Sequence, residues 1–76
     1  MRRVDPWHRG ERVRIVIGDE SANGWVLLAS ANGRSLMLEF DAMLQGHVGM
    51  MPVMLGLDGH FRSIVTQKIV ELTREN

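Results

Sequence analysis

Apolar and polar residues alternate along most of the chain, in short stretches separated by turn signals. Three dipeptides that favour tight turns, Asn23-Gly24, Asn32-Gly33 and Asp58-Gly59, are each flanked by apolar or β-branched residues. Alternation with a period of two is typical of strands that bury one face. The pattern therefore predicts an all-β fold, a small barrel or strongly bent antiparallel meander of five to six strands. The predicted strands are residues 12–17, 25–31, 34–40, 48–55, 60–65 and 68–73.

The best-defined predicted element is the hairpin around Asn32-Gly33. A two-residue turn at this dipeptide sets Ala31 opposite Arg34 and thereby fixes every pair behind it. Six apolar side chains then share one face, which we expect to be the core. Their predicted cross-strand pairs are Ala29 with Leu36, Leu27 with Leu38, and Trp25 with Phe40.

The opposite face of this hairpin is only half polar, because Val26, Leu28 and Met37 lie on it together with serine and glutamate side chains. Exposed apolar patches of this kind mark interaction surfaces or are covered by another part of the molecule. We expect the cover to be either the N-terminal arm bearing Trp7 or a second subunit.

Around Asp58-Gly59, a three-residue loop over residues 57–59 pairs Leu55 with Phe61 and Val53 with Ser63, with glycine in the left-handed position. The last predicted strand has an alternative. Apolar residues between positions 61 and 72 also follow helical spacing, so a short C-terminal amphipathic helix stays open. The β-branched residues of this stretch favour a strand.

Length and composition limit the organisation of the chain. With 76 residues, 45% of them hydrophobic and 24% charged, it is expected to fold as one domain. We predict a basic N-terminal arm over residues 1–10 and a single small β-barrel over residues 11–76. No apolar run is long enough for a membrane span and no secretory signal is recognisable, so we expect a cytoplasmic protein without a membrane partner.

Positive charge is concentrated at the start of a chain whose formal net charge is zero. A basic arm with an aromatic ring can bind phosphates and stack on bases. Nucleic-acid binding is therefore the alternative function, although zero net charge and few aromatic residues disfavour it. Its predicted residues are Arg2, Arg3, Arg9, Arg12, Arg14 and Trp7.

Candidate catalytic and metal-binding residues lack the spacing that such sites use. The chain has no cysteine, which excludes thiol chemistry and disulfides. His8, His47 and His60 do not form a ligand motif with each other or with Asp41 or Asp58. The sequence therefore predicts no catalytic residue, no metal and no cofactor, and a small enzyme or metal-binding protein is the least favoured interpretation.

Methionine is concentrated in one part of the chain, where Met37, Met43, Met50, Met51 and Met54 lie close together. Methionine adapts its shape to irregular cores and to partner surfaces alike. In a strand, neighbouring Met50 and Met51 must point to opposite faces. The leading hypothesis is a non-enzymatic binding module that docks a protein partner or self-associates as a homodimer or larger oligomer. Its predicted contact residues are Val26, Leu28, Met37, Met51 and Met54.

The segments Leu38-Glu39-Phe40 and Gly46-His47-Val48-Gly49-Met50-Met51-Pro52-Val53 resemble part of some small uncharacterised bacterial and mobile-element proteins. The resemblance covers roughly residues 11–73 and implies no particular activity. At the level of the fold, the number of strands is similar to that of SH3-like small barrels, which host many functions.

Overall fold

The computed structural model describes residues 6–75, which form a closed antiparallel β-barrel. Each strand pairs with the next along the chain, and the last strand pairs with the first. The predicted all-β class and small SH3-like barrel are confirmed. The strands are β1 (Arg12–Ile17), β2 (Glu20–Ala29), β3 (Ser35–Leu44), β4 (His47–Leu55), β5 (Phe61–Ser63) and β6 (Ile69–Arg74).

The C-terminal stretch of the described chain is a strand, not the alternative helix. Residues 64–66 turn after β5, and β6 then pairs with both β5 and β1. Within residues 6–75, no helix has the length and apolar character needed to cross a membrane.

The interior is filled by the inward-facing side chains of all six strands, as in other small barrels. Removing this apolar surface from water is the main force that closes the sheet. The buried apolar residues are Val13, Ile15, Ile17, Val26, Leu36, Leu38, Phe40, Leu44, Met51, Val53 and Val70.

The first chain reversal lies at Gly18-Asp19, so the predicted turn at Asn23-Gly24 is wrong. Gly18 has a φ of +58°, which suits the first central position of a two-residue hairpin turn. Gly24 instead lies inside β2, where a Cβ atom would collide with the backbone carbonyl of Glu39 in β3. This glycine permits close contact between two strands rather than a turn.

The hairpin of β2 and β3 contains a bulge at Leu27 that the sequence analysis did not predict. Ala29 pairs with Leu36 as expected, but the register shifts by one residue between Leu28 and Val26. The connection is also longer than predicted, because residues 30–34 lie outside both strands.

The bulge reverses the faces of the first half of β2. Val26 turns inward and has no exposed surface, whereas Trp25 turns outward and is 41% exposed. The predicted pairs Leu27–Leu38 and Trp25–Phe40 are therefore wrong. The observed pairs are Val26 with Leu38, Trp25 with Glu39, and Gly24 with Phe40.

The hairpin of β4 and β5 has the predicted register. Leu55 pairs with Phe61 and Val53 pairs with Ser63. Gly59, with a φ of +84°, occupies the left-handed position of the loop. This prediction is confirmed because a short loop and the pleat determine the pairing locally.

One end of the barrel is spanned by polar side chains from its three turns. Gln45 Nε2 donates a hydrogen bond of 2.8 Å to Glu20 Oε2, and Lys68 Nζ donates one of 2.7 Å to Gln45 Oε1. These contacts tie the β3–β4 connection to the start of β2 and to the β5–β6 connection. The other end carries Pro6 and Trp7 and the loops at positions 30–34 and 56–60.

Candidate functional site

An apolar surface extends over the outer side of β2, β3 and β4. Its central row is formed by Leu28, Met37 and Pro52, which are aligned across the three strands. Ile64 extends the row, because its N–H donates a hydrogen bond of 2.9 Å to the Pro52 carbonyl. We call the following set the apolar face: Trp25, Leu28, Met37, Met50, Pro52, Met54 and Ile64.

Most side chains of the apolar face are accessible to solvent. Leu28 is 55% exposed, Met54 50%, Met50 49% and Ile64 48%. Trp25 is 41% exposed, and Met37 and Pro52 are half-buried. Contiguous exposed apolar residues are a common feature of interaction surfaces. Methionine side chains adapt their shape easily to whatever packs against them.

Three of the five predicted contact residues lie together on this surface, namely Leu28, Met37 and Met54. The assignment of Val26 and Met51 to it is corrected, because neither side chain has any exposed area. The bulge turns Val26 into the core, and Met51 faces inward opposite Leu38.

Four members of the apolar face were not predicted from the sequence. Met50 was detectable, because alternation along β4 places it and Met51 on opposite faces, and this alternation is confirmed by burial. Trp25 was assigned to the core because of the unforeseen bulge. Pro52 and Ile64 join the surface only through pairing between distant parts of the chain.

The predicted nucleic-acid residues do not form one cluster, and one of them, Arg12, borders the apolar face. Arg2 and Arg3 are outside the described residues, whereas Arg9, Arg12 and Arg14 are exposed. On the outer side of β1 and β2, Arg12 lies opposite Trp25 and Arg14 lies opposite Asn23. Arg14 also donates a hydrogen bond of 3.0 Å to Ser21 Oγ.

Trp7 packs against the core at the open end of the barrel and is partly buried rather than held out on a free arm. The guanidinium of Arg74 lies over its ring, 4.2 Å from the ring centre. Arg74 also donates hydrogen bonds to Glu11 Oε1 at 3.3 Å and to the Pro6 carbonyl at 3.0 Å. Burial raises the pKa of Glu11, but the His8 N–H and the Arg74 guanidinium outweigh it and lower that pKa.

Beside Trp7 the barrel end opens into a cleft of about 470 Å³. Its walls come from the N-terminal residues, the two neighbouring loops, and strands β4, β5 and β6. The lining residues are Pro6, Trp7, Asn32, Gly33, Leu55, Gly59, Phe61, Leu72 and Arg74.

A buried His–Ser pair lies at the opposite end. His47 Nδ1 is 3.0 Å from the Leu44 carbonyl, and His47 Nε2 is 2.8 Å from Ser63 Oγ. Since a carbonyl only accepts, Nδ1 carries the proton of the neutral ring and Nε2 accepts from the Ser63 hydroxyl. Ser63 has no exposed surface. A serine nucleophile must be accessible to its substrate, and this hydroxyl is not.

The three histidines do not come together. Within the described chain, no group of three or more His, Asp and Glu side chains is placed to hold a metal ion. His47 is buried against Ser63, while His8 and His60 are exposed in the N-terminal segment and the β4–β5 loop.

Comparison of the chain with protein-family models, with curated proteins and with solved structures found no match. The resemblance of residues 38–53 to small bacterial and mobile-element proteins therefore stays a prediction. The function is inferred from the surface of the barrel itself.

Proposed function

We propose that this chain is a non-enzymatic interaction module of the cytoplasm that pairs with a second copy of itself through the apolar face. The observation that carries the proposal is the continuous row of Leu28, Met37, Pro52 and Ile64 on the outside of a barrel whose interior is already filled. Covering this row removes apolar surface from water without disturbing the core.

Glu39, the carboxylate in the middle strand of this surface, favours one arrangement of the two copies. Glu39 in β3 pairs with Trp25 on one side and with Met50 on the other. Along β3, Ser35, Met37 and Glu39 are successive outward-facing residues, so Ser35 and Glu39 flank Met37. A two-fold axis along the row sets Glu39 of one copy against Ser35 of the other, where a hydroxyl can donate to the carboxylate. An axis along the strands midway between β3 and β4 would set Glu39 against Met50, and a buried carboxylate without a donor is costly.

Light scattering across a hundredfold dilution tests self-association. The wild-type chain is expected to shift from dimer to monomer on dilution, and Leu28→Lys to be monomeric throughout, because a charge in the interface must be desolvated. Leu57→Lys is the matched control, since Leu57 is fully exposed in the β4–β5 loop, outside the apolar face. A strictly monomeric wild type, unchanged by Leu28→Lys, contradicts the proposal.

Single-cysteine variants test the axis, because the natural chain has no cysteine and every disulfide is then intermolecular. A residue on the two-fold axis meets its own copy, so Met37→Cys is expected to form a disulfide-linked dimer rapidly under mild oxidation. Leu57→Cys should cross-link only slowly. Equal rates for the two variants would contradict the arrangement.

Nucleic-acid binding is the second candidate, favoured by the exposed Trp25 ring beside Arg12. About four phosphate contacts predict a slope near −3 in a plot of log affinity against log salt concentration for single-stranded DNA. Arg12→Gln should make that slope shallower by about one unit, and Trp25→Ala should weaken binding at every salt concentration. Lack of salt-dependent binding rules this candidate out.

A further inference from the structure

The cleft beside Trp7 has the dimensions and lining of a site for a small ligand. Its volume of about 470 Å³ lies within the roughly 300–1,000 Å³ typical of ligand pockets, and barrel mouths are a common location for them. Five of its lining side chains are apolar, and two of these, Trp7 and Phe61, are aromatic rings. Aromatic walls favour a flat apolar group.

The polar groups that line the cleft are mainly donors. Among the described lining residues, Arg74 has the only ionisable side chain, and Glu11, its ion-pair partner, is not one of them. Asn32 uses its Oδ1 to accept from Ser30 Oγ at 2.7 Å and from the Arg34 N–H at 3.0 Å. Its amide Nδ2 is then the part of the side chain with donors to offer.

The other end of the barrel has a different character. The groove there is lined by Asp19, Gln45 and Lys68 together with two isoleucines and a glycine, and lacks an aromatic ring. The Glu20–Gln45–Lys68 hydrogen bonds also span that end. Of these two sites, only the Trp7 cleft combines aromatic walls with a cation and has no carboxylate among its described lining residues.

We propose that the Trp7 cleft binds a small organic anion with an aromatic or extended apolar group. The apolar group would lie against Trp7, Phe61 and Leu72, and the anionic group would lie toward Arg74 and Asn32. This site is separate from the apolar face, so the two proposals succeed or fail independently.

Two dyes with the same ring system test the proposal on the full chain. 8-Anilino-1-naphthalenesulfonate carries an anionic group, and N-phenyl-1-naphthylamine is its neutral counterpart. We expect one sulfonate dye to bind per chain, about fivefold more tightly than the neutral dye at low salt, and the difference to shrink as salt screens the guanidinium. Trp7→Ala should weaken both dyes about tenfold.

Trp25→Ala is the matched control, because it also removes a tryptophan side chain, but from the apolar face instead of the cleft. It should leave the affinities for both dyes unchanged. Leu28→Lys provides a second control for dye adsorbed to that face. Amide chemical shifts of the wild-type chain give a readout that needs no variant, with the largest changes expected at Gly33 and Gly59. Absence of saturable binding, equal affinities for the two dyes at low salt, or loss of binding in Trp25→Ala or Leu28→Lys would each overturn the proposal.

Discussion

The hydroxyl of Ser63 has no exposed area, yet it serves three partners. It lies 2.8 Å from His47 Nε2 and accepts the backbone N–H groups of Val65 and Thr66 at 3.1 and 3.2 Å. The hydroxyl therefore joins the start of β4 to the turn that follows β5. Buried polar groups with complete partners stabilise one defined arrangement of the chain.

Replacing Ser63 by alanine should lower the free energy of unfolding by about 1–3 kcal/mol, because His47 Nε2 then lies buried without a partner. Urea unfolding followed by tryptophan fluorescence measures the change. Ser21→Ala, which removes an exposed hydroxyl bonded to Arg14, is the control and should cost less than about 0.5 kcal/mol. Equal costs for the two variants would show that the buried hydrogen bonds do not contribute to stability.

The β4–β5 loop has its own electrostatic stabilisation. Asp58 accepts hydrogen bonds from the Arg62 guanidinium at 2.8 and 3.0 Å and from the His60 N–H at 3.1 Å. The Arg62 guanidinium, with the His60 N–H, holds the pKa of Asp58 well below its usual range. A carboxyl whose pKa is lowered by folding stabilises the fold above its unfolded pKa of about 3.9, and this contribution is lost as the pH falls below that value.

Asp58→Asn should therefore destabilise the barrel at neutral pH and lose less stability than the wild type between about pH 5 and pH 2. Thermal unfolding followed by circular dichroism at several pH values measures both curves. Asp19→Asn, in the turn between β1 and β2, is the control for removal of an acidic residue from a turn. Parallel curves for the wild type and Asp58→Asn would contradict the assignment.

The elements that were predicted correctly are those determined by local rules. The loop at Asp58-Gly59 fixed its own register, and the pleat of β4 separated Met50 from Met51. The first reversal was misplaced because Gly24 is required by the approach of β3, which the local sequence does not reveal. Asn23-Gly24 and Asn32-Gly33 are the same dipeptide, although the first lies inside a strand and the second in a loop.

The candidate surface was only partly predictable for the same reason. A bulge of one residue exchanges the two faces of a strand, and the bulge at Leu27 exchanged Val26 with Trp25. Its position depends on the pairing of β2 with β3, whereas Leu28, beyond the bulge, kept its predicted face. The Trp7 cleft depends on loops that meet only after the barrel closes, so no spacing in the sequence indicated it.

Across the whole molecule the strands are unequal in length. β2 and β3 each have ten residues, whereas β5 has three and pairs with β6 through two residue pairs only. The short strand makes the contact between β5 and β6 the weakest point of the closed sheet. Local opening is expected to begin where few hydrogen bonds hold a strand.

Native-state hydrogen exchange should show this difference. Amides of β5 and β6 are expected to be at least about tenfold less protected than those of Leu36 and Leu38 in β3, because they exchange through local opening. Exchange at β3 should report global unfolding. Uniform protection of all six strands would mean that the barrel opens only as a single cooperative unit.

The pairing of β1 with β6 brings the first and last strands side by side, and the Glu75 N–H donates a hydrogen bond of 3.2 Å to the Arg12 carbonyl. The polypeptide thus enters and leaves the barrel at neighbouring points on one rim. A host protein could therefore carry the barrel as an insert in one of its surface loops. The two points of attachment would be little farther apart than two neighbouring strands. Joining the ends of the barrel by a short linker and reopening it at Gly18-Asp19 would likewise give a circular permutant with the same strand order around the barrel.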